Sequence, residues 1–120
     1  MQKHVLLIED EGITAINLAQ TIEEGGYRVT VAFDGQEGLD AYHNDPADLV
    51  ITDLNMPILD GFGVIGSLKE QSPDIKIAVL SGFCPQVEKE RIRSLGVECI
   101  MAKPINARAL VETVDKELAG

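Results

Sequence analysis

The fold is decided by residues 49–57, which read LVITDLNMP. A short, nearly continuous apolar run from Leu49 to Thr52 ends at an acid, and a turn-forming Met56-Pro57 pair follows. A run of this length, bounded by charged and turn residues, is typical of a strand buried on both faces of a parallel sheet. The stretch therefore predicts an inner strand with Asp53 at its carboxyl end.

Four further strands are predicted on either side of this one, at residues 5–8, 28–33, 75–80 and 97–102. In the second of them, larger apolar residues alternate with Thr30 and Ala32, which favours an edge strand. Apolar residues at helical spacing follow every strand. Strand and helix alternating five times indicate an α/β fold with a parallel sheet, helices on both faces and right-handed crossovers. We expect one domain over residues 1–120.

Polar side chains follow four of the predicted strands at the point where each strand ends. They are Glu9 and Asp10 after the first strand, Asp53 after the third, Ser81 after the fourth and Lys103 after the fifth. Taken singly, each has an ordinary explanation as a helix cap, a turn residue or a solvated loop residue. Because ligands bind at the carboxyl edge of such sheets, we expect the five side chains to converge on one site.

The expected cluster has the composition of a magnesium site that handles phosphate. Three neighbouring carboxylates repel one another and need compensation, and hard oxygen ligands suit Mg²⁺. Glu9, Asp10 and Asp53 carry a charge of −3, which Mg²⁺ and Lys103 together would balance. An aspartate carboxylate can accept a phosphoryl group, and such a transfer needs mainly alignment and charge neutralisation. The hydroxyl of Ser81 can bind a phosphoryl oxygen.

The excess of acidic over basic residues limits the kinds of molecule that the chain can bind. Twenty acidic and ten basic residues give a formal net charge of −10, which repels nucleic-acid phosphates, so we expect no direct nucleic-acid binding. No apolar run approaches the roughly 20 residues of a membrane span, and the first residues lack the pattern of a signal peptide. A cytoplasmic protein without membrane contact is therefore expected. Cys84 and Cys99 lack zinc-site spacing and are expected to be free thiols.

With these residues in view, the chain resembles the receiver domains of two-component response regulators, chemotaxis receivers included, from end to end. The resemblance is carried by VLLIEDE at 5–11, DLNMP at 53–57 with Asp60-Gly61, LSG at 80–82 and Lys103-Pro104, each in the family's place along the chain. It implies the flavodoxin-like, doubly wound (βα)5 fold with a five-stranded sheet in the order 2-1-3-4-5. It also implies a cis Lys103-Pro104 peptide bond.

The same resemblance implies a phosphorelay role. Asp53 would accept a phosphoryl group from the phosphohistidine of a sensor histidine kinase or a histidine phosphotransfer protein of a bacterial two-component system. Asp10, Asp53 and the backbone carbonyl of Asn55 would ligate Mg²⁺, and Glu9 would act mainly through a metal-bound water. The chain would be a signalling switch rather than an enzyme, although it would promote its own phosphorylation and slow dephosphorylation.

The signal is expected to leave through the fourth helix. By resemblance, Ser81 would be the switch hydroxyl and Lys103 the phosphate-binding cation, so phosphorylation would move the ends of strands four and five. The fourth helix follows Ser81 and has a thin apolar stripe, which is typical of a mobile element. We expect a population shift in the surface formed by helix four, strand five and helix five. An output domain, an effector protein or a second copy in a homodimer would read it.

Departures from the family pattern keep alternatives open. Ile100 and Ile105 stand where the family often carries aromatic residues, and the change at Ile100 leaves room for a degenerate receiver that binds or dimerises without phosphorylation. A phosphatase of the haloacid-dehalogenase type also uses a strand-end aspartate and Mg²⁺, but Asn55 replaces the second acid that this chemistry needs. His4 and His43 are expected to be surface residues.

Overall fold

Five strands and five helices alternate along the chain. In the computed structural model, which describes residues 2–119, the strands are β1 (His4–Ile8), β2 (Arg28–Ala32), β3 (Leu49–Asp53), β4 (Lys76–Ser81) and β5 (Cys99–Ala102). The helices are α1 (Gly12–Glu24), α2 (Gly35–Asn44), α3 (Gly61–Gln71), α4 (Gln86–Ser94) and α5 (Ala107–Leu118). All paired strands are parallel, in the order β2-β1-β3-β4-β5. The predicted (βα)5 fold and its sheet order are confirmed.

The sheet separates two apolar core layers, which explains the uninterrupted apolar strands. In β1, Leu6 and Ile8 pack into the layer that contains the buried residues of α2, α3 and α4. Val5 and Leu7 of the same strand pack into the layer that contains those of α1 and α5. Because successive side chains of a strand point to opposite faces, a strand covered on both sides is apolar at most positions along its length.

Side-chain caps fix where most helices begin. Glu11, Asp34, Asp60 and Asn106 each accept a hydrogen bond from the backbone N–H three residues further on, as N-cap residues do. Helix α4 differs, because Pro85 precedes it without a side-chain cap, and only Ile92 of the helix is buried. Helix α4 is therefore weakly anchored, as its thin apolar stripe predicts.

The fifth strand is shorter than predicted. It begins at Cys99 rather than at residue 97, because the N–H of Val97 donates to the carbonyl of Ile92 (3.3 Å) in the turn that ends α4. Both Asp53 and Ser81 are the last residues of their strands rather than the first residues beyond them. No helix within residues 2–119 combines the length and apolar character needed to cross a membrane.

The prediction that His4 lies on the surface was wrong. It is the first residue of β1 and is 3% exposed. Its Nε2 shares a hydrogen bond with Thr30 Oγ1 (2.7 Å), and its backbone N–H donates to Asp48 Oδ2 (2.7 Å). His4 therefore helps to fix the start of the β1–β2 pair. Cys84 and Cys99 are free thiols, as predicted.

Candidate functional site

Three carboxylates meet where β1 and β3 end. The two strands are direct neighbours, and their register pairs Ile8 with Thr52, so the residues that follow lie side by side. Glu9 is 1% exposed and Asp53 is 8% exposed, whereas Asp10 is exposed to solvent. One carboxylate oxygen of each lies within 4.8 Å of the other two. The structure thus brings the predicted acids together.

Lys103 joins this cluster from the far edge of the sheet. Its Nζ lies 2.5 Å from Glu9 Oε1 and 2.7 Å from Asp53 Oδ2. Burial acts to lower the pKa of Lys103, but hydrogen bonds to Asp53 and Glu9 outweigh it and raise the pKa. The ammonium is therefore charged at any physiological pH and links two strands of the sheet. The Lys103-Pro104 peptide bond is cis, as the resemblance implies.

The two buried carboxylates differ in their affinity for a proton. Burial raises the pKa of Glu9 to about 7, and the neighbouring Asp53 adds to this while Lys103 opposes it. Burial also acts to raise the pKa of Asp53, but Glu9, Lys103 and the backbone N–H of Asn55 outweigh it and lower the pKa. Asp53 is therefore the ionised partner at neutral pH.

The donor set fits a small divalent cation. Glu9 Oε2 is buried and has no hydrogen-bond partner within the described residues. A buried acceptor without a hydrogen bond lowers the stability of the fold. Carboxylate oxygens are the ligands that Mg²⁺ prefers. A cation held by Glu9, Asp10 and Asp53 would satisfy the unpaired oxygen and offset the repulsion among the three acids.

Asn55 and Gly61 shape the loop that follows Asp53. The backbone N–H of Asn55 donates to Asp53 Oδ1 (3.3 Å). Gly61, at the start of α3, donates to the carbonyl of Leu54 (2.9 Å), and a Cβ atom there would lie 2.3 Å from the carbonyl oxygen of Asp53. The helix can approach the acid this closely only because residue 61 is glycine. The Asp60-Gly61 pair predicts a turn but not this contact.

Ser81 reaches the same edge of the sheet but points its hydroxyl elsewhere. It is 2% exposed, and its Oγ donates to the carbonyl of Phe83 (3.0 Å) in the loop before α4. Within residues 2–119, no hydrogen bond joins this hydroxyl to the carboxylates. All five predicted side chains therefore lie at one edge of the sheet. The three carboxylates lie close together and Lys103 bonds to two of them, whereas Ser81 is bonded elsewhere.

Ile58 has a backbone conformation that the sequence does not predict. It lies in the loop between Asp53 and α3 with a φ of 72° and is 80% exposed. A β-branched residue in this left-handed region is strained. This strained residue lies in the loop that directly follows Asp53.

Comparisons with known proteins agree with this architecture. The family model described as the response regulator receiver domain matches residues 5–115. The chain is 30% identical over 120 residues to the polar-differentiation response regulator DivK of Brucella ovis, with 98% of each chain covered. It is 31% identical over 109 residues to the probable transcriptional regulator ycf27 of Guillardia theta, of which it spans 42%.

Solved structures give the same result. The chemotaxis protein CheY4 of Vibrio cholerae superposes with a TM-score of 0.94 at 27% identity, covering 98% of this chain and all of that one. The receiver domain of response regulator 1452 from Francisella superposes with a TM-score of 0.89 at 28% identity, covering 97% of this chain and 96% of that one. The chain belongs to the response regulator receiver domain family of two-component signal transduction.

Proposed function

We propose that residues 1–120 form one cytoplasmic receiver domain that accepts a phosphoryl group on Asp53 from the phosphohistidine of a sensor histidine kinase or histidine phosphotransfer protein. Family membership supports a phospho-acceptor signalling role. The observation that carries the assignment to Asp53 is its position at the end of β3, bonded to Lys103 at 2.7 Å and next to two further acids.

The chain's own groups prepare Asp53 for the transfer. Its lowered pKa keeps the carboxylate ionised, so that an oxygen can attack phosphorus while the bond from phosphorus to the imidazole nitrogen breaks and the imidazole leaves. Lys103 lies beside the position that the phosphoryl oxygens would occupy and offsets their charge. Asp53 is mostly buried and keeps 8% of its surface exposed, so the donor would have to approach it from the sheet edge.

Glu9, Asp10, Asp53 and the carbonyl of Asn55 are the proposed holders of Mg²⁺. When bound, Mg²⁺ supplies positive charge against the phosphoryl oxygens. The unpaired buried oxygen of Glu9 supports this assignment, since no described residue satisfies it. Three carboxylate side chains also give more negative charge than Lys103 alone offsets.

The proposed switch is a change of partner for Ser81. To reach a phosphoryl oxygen on Asp53, its hydroxyl must leave the carbonyl of Phe83, which would draw the loop before α4 toward the sheet. Helix α4 buries only Ile92, so little packing resists its movement. The proposed output is therefore a shift in the surface formed by α4, β5 and α5, read by an output domain, an effector or a second copy.

Exposed apolar side chains support a protein as the phosphoryl donor. Within residues 2–119, the large apolar residues that are exposed lie in the loops after the strands or in the opening turns of the helices that follow, namely Ile13, Ile16, Phe33, Ile58, Phe83 and Val87. They belong to the segments that follow β1, β2, β3 and β4, at the same end of the sheet as the acid cluster. Exposed apolar side chains grouped at one end of a protein are typical of protein docking sites.

Intact-mass spectrometry after incubation with acetyl phosphate tests the acceptor. The wild-type chain should gain one phosphoryl group with Mg²⁺ and none with EDTA, and Asp53→Asn should gain none. Asp74→Asn removes an exposed acid far from the site and should behave as wild type. A folded wild-type chain that gains no phosphoryl group would instead support the phosphorylation-independent binding module. A gain retained by Asp53→Asn would place the acceptor at another residue.

A further inference from the structure

Arg91 of α4 lies over the face of an aromatic ring that belongs to α3. Its guanidinium carbon Cζ is 4.0 Å from the centroid of the Phe62 ring, which is within the distance at which a cation is attracted to an aromatic face. Within residues 2–119, no salt bridge involves Arg91. The positive charge of this arginine is therefore directed at the ring rather than at a carboxylate.

Phe62 offers Arg91 a fixed surface. Its ring is half-buried against the core layer that contains the buried residues of α3 and α4. The residue before it, Gly61, donates its backbone N–H to the carbonyl of Leu54 (2.9 Å), and Val64 in the next turn is fully buried. Helix α3 therefore holds the ring in place, at the end of the loop that follows the proposed phospho-acceptor.

Few other contacts anchor α4 to the rest of the fold. Of the described residues in this helix, only Ile92 is buried, and Pro85 gives it no side-chain cap. The helix also follows the loop in which the hydroxyl of Ser81 donates to the carbonyl of Phe83 (3.0 Å). A single contact on the surface of so weakly anchored a helix can shift the balance between two of its positions.

We infer that Arg91 is a positioning residue, which holds α4 in its unphosphorylated position by binding the face of Phe62 and so opposes the switch. Because the ring is fixed in α3, a movement of α4 takes the guanidinium away from it. At an exposed site this contact changes the equilibrium between the two positions by a factor of about two to five. The inference rests on the proposed function in one respect, because it takes phosphorylation as the event that moves α4.

Arg93 provides a matched control for the charge of Arg91. Both arginines are exposed and lie in the last turn of α4, where either cation offsets the helix dipole. Within the described chain, only Arg91 contacts an aromatic face. Glutamine has a helix propensity close to that of arginine, so Arg91→Gln and Arg93→Gln differ in the loss of the ring contact.

Hydrogen exchange of the unphosphorylated chain, followed by NMR, tests the hold on α4. Arg91→Gln should speed the exchange of the α4 amide protons about two- to fivefold, because the helix loses its contact with α3. Arg93→Gln should leave the exchange unchanged. Arg91→Lys keeps a cation for the ring and should stay closer to wild type than Arg91→Gln does. In a Phe62→Leu background, Arg91→Gln should have no further effect. Equal rates in the two glutamine variants would overturn the inference.

Titration with beryllofluoride in the presence of Mg²⁺ tests the opposition to the switch, since beryllofluoride mimics a phosphoryl group on a carboxylate. The amide NMR shift of Asn55 reports binding. Arg91→Gln should bind about two- to fivefold more tightly than wild type, because the switch no longer breaks the ring contact. By charge alone, the loss of a cation would weaken the binding of this anion. Arg93→Gln should therefore show no gain.

The outcomes separate this inference from the proposed function. If wild type binds beryllofluoride and Arg91→Gln binds it equally or more weakly, the inference is overturned while the proposed function stands. The same holds if Arg91→Gln still gains affinity in the Phe62→Leu background, since the gain would not come from the ring. A wild-type chain that gives no shifts with beryllofluoride would refute the proposed function and, with it, the role of Arg91 in the switch.

Discussion

Replacing Glu9 with glutamine should stabilise the metal-free protein, and the gain should grow with pH. Glu9 is 1% exposed, and burial raises its pKa from 4.5 to about 7. A raised carboxyl pKa means that the folded protein holds the proton more tightly than the unfolded chain. Stability from this group is therefore complete below pH 4.5 and is lost as the pH rises through 7. Glutamine has no proton to lose and avoids this loss.

The size of the effect follows from the same pKa. Each unit by which folding raises a carboxyl pKa costs about 1.4 kcal/mol once the group is ionised. The ionised Glu9 therefore costs the fold about 3 kcal/mol above pH 8, by order of magnitude. The attraction of Lys103 is already included, because the pKa of about 7 reflects burial, Asp53 and Lys103 together. Glutamine also keeps an oxygen that can accept from Lys103.

Urea unfolding in EDTA at pH 5 and pH 8.5 measures the difference. The free energy of unfolding of Glu9→Gln should be close to wild type at pH 5 and higher at pH 8.5 by about 2 to 3 kcal/mol. Glu24→Gln, which neutralises an exposed acid of α1, should show no such pH dependence. If the proposed metal site is correct, Mg²⁺ should stabilise wild type at pH 8.5 more than the variant. A gap of equal size at both pH values would refute the reasoning.

Three further substitutions have signed expectations. Gly61→Ala should destabilise the fold by at least about 2 kcal/mol, because a Cβ atom there would lie 2.3 Å from the carbonyl oxygen at the end of β3. As a control, a Cβ atom at Gly66 in the same helix would have no neighbour within 4 Å. Gly66→Ala should therefore stabilise the fold by about 0.5 to 1 kcal/mol, and urea unfolding measures both changes. Ile58→Asn should stabilise the fold by about 1 kcal/mol, because asparagine tolerates a φ of 72° better than a β-branched residue does. Val87→Asn, at an exposed helical position, should leave the stability nearly unchanged. Equal changes in stability for the two variants would show that Ile58 is not strained. Ser81→Ala should keep the fold but lose most of the beryllofluoride-induced NMR shifts in α4, and undiminished shifts would contradict the proposed switch.

The sequence predicts the path of the chain well because the sheet is covered on both faces. The short apolar runs at β1, β3, β4 and β5 are typical of strands that lie between two core layers. Parallel pairing then places the carboxyl ends of these strands at one edge of the sheet. This argument alone predicts that Glu9, Asp53 and Lys103 approach one another. It needs no knowledge of how the side chains are oriented.

Features that depend on tertiary contacts could not be predicted from the sequence. No sequence pattern selects the carbonyl of Phe83 as the acceptor for the hydroxyl of Ser81. A positive φ at Ile58 contradicts local preference and is imposed by the loop around it. The partners of His4 come from two other segments, Thr30 for its ring and Asp48 for its backbone N–H, and neither contact can be read from the residues around it in the sequence.

Lys103 gives the edge strand an unusual attachment. Its backbone N–H bonds to Ser81 in β4 (2.9 Å), while its ammonium reaches across to the ends of β1 and β3. An edge strand of four residues would ordinarily be among the first parts of a sheet to open. Here its carboxyl end is fastened to the centre by ion pairs, so salt and acid should loosen it before the inner strands. The rate at which β5 amide protons exchange with solvent would then depend on whether a carboxylate two strands away is charged.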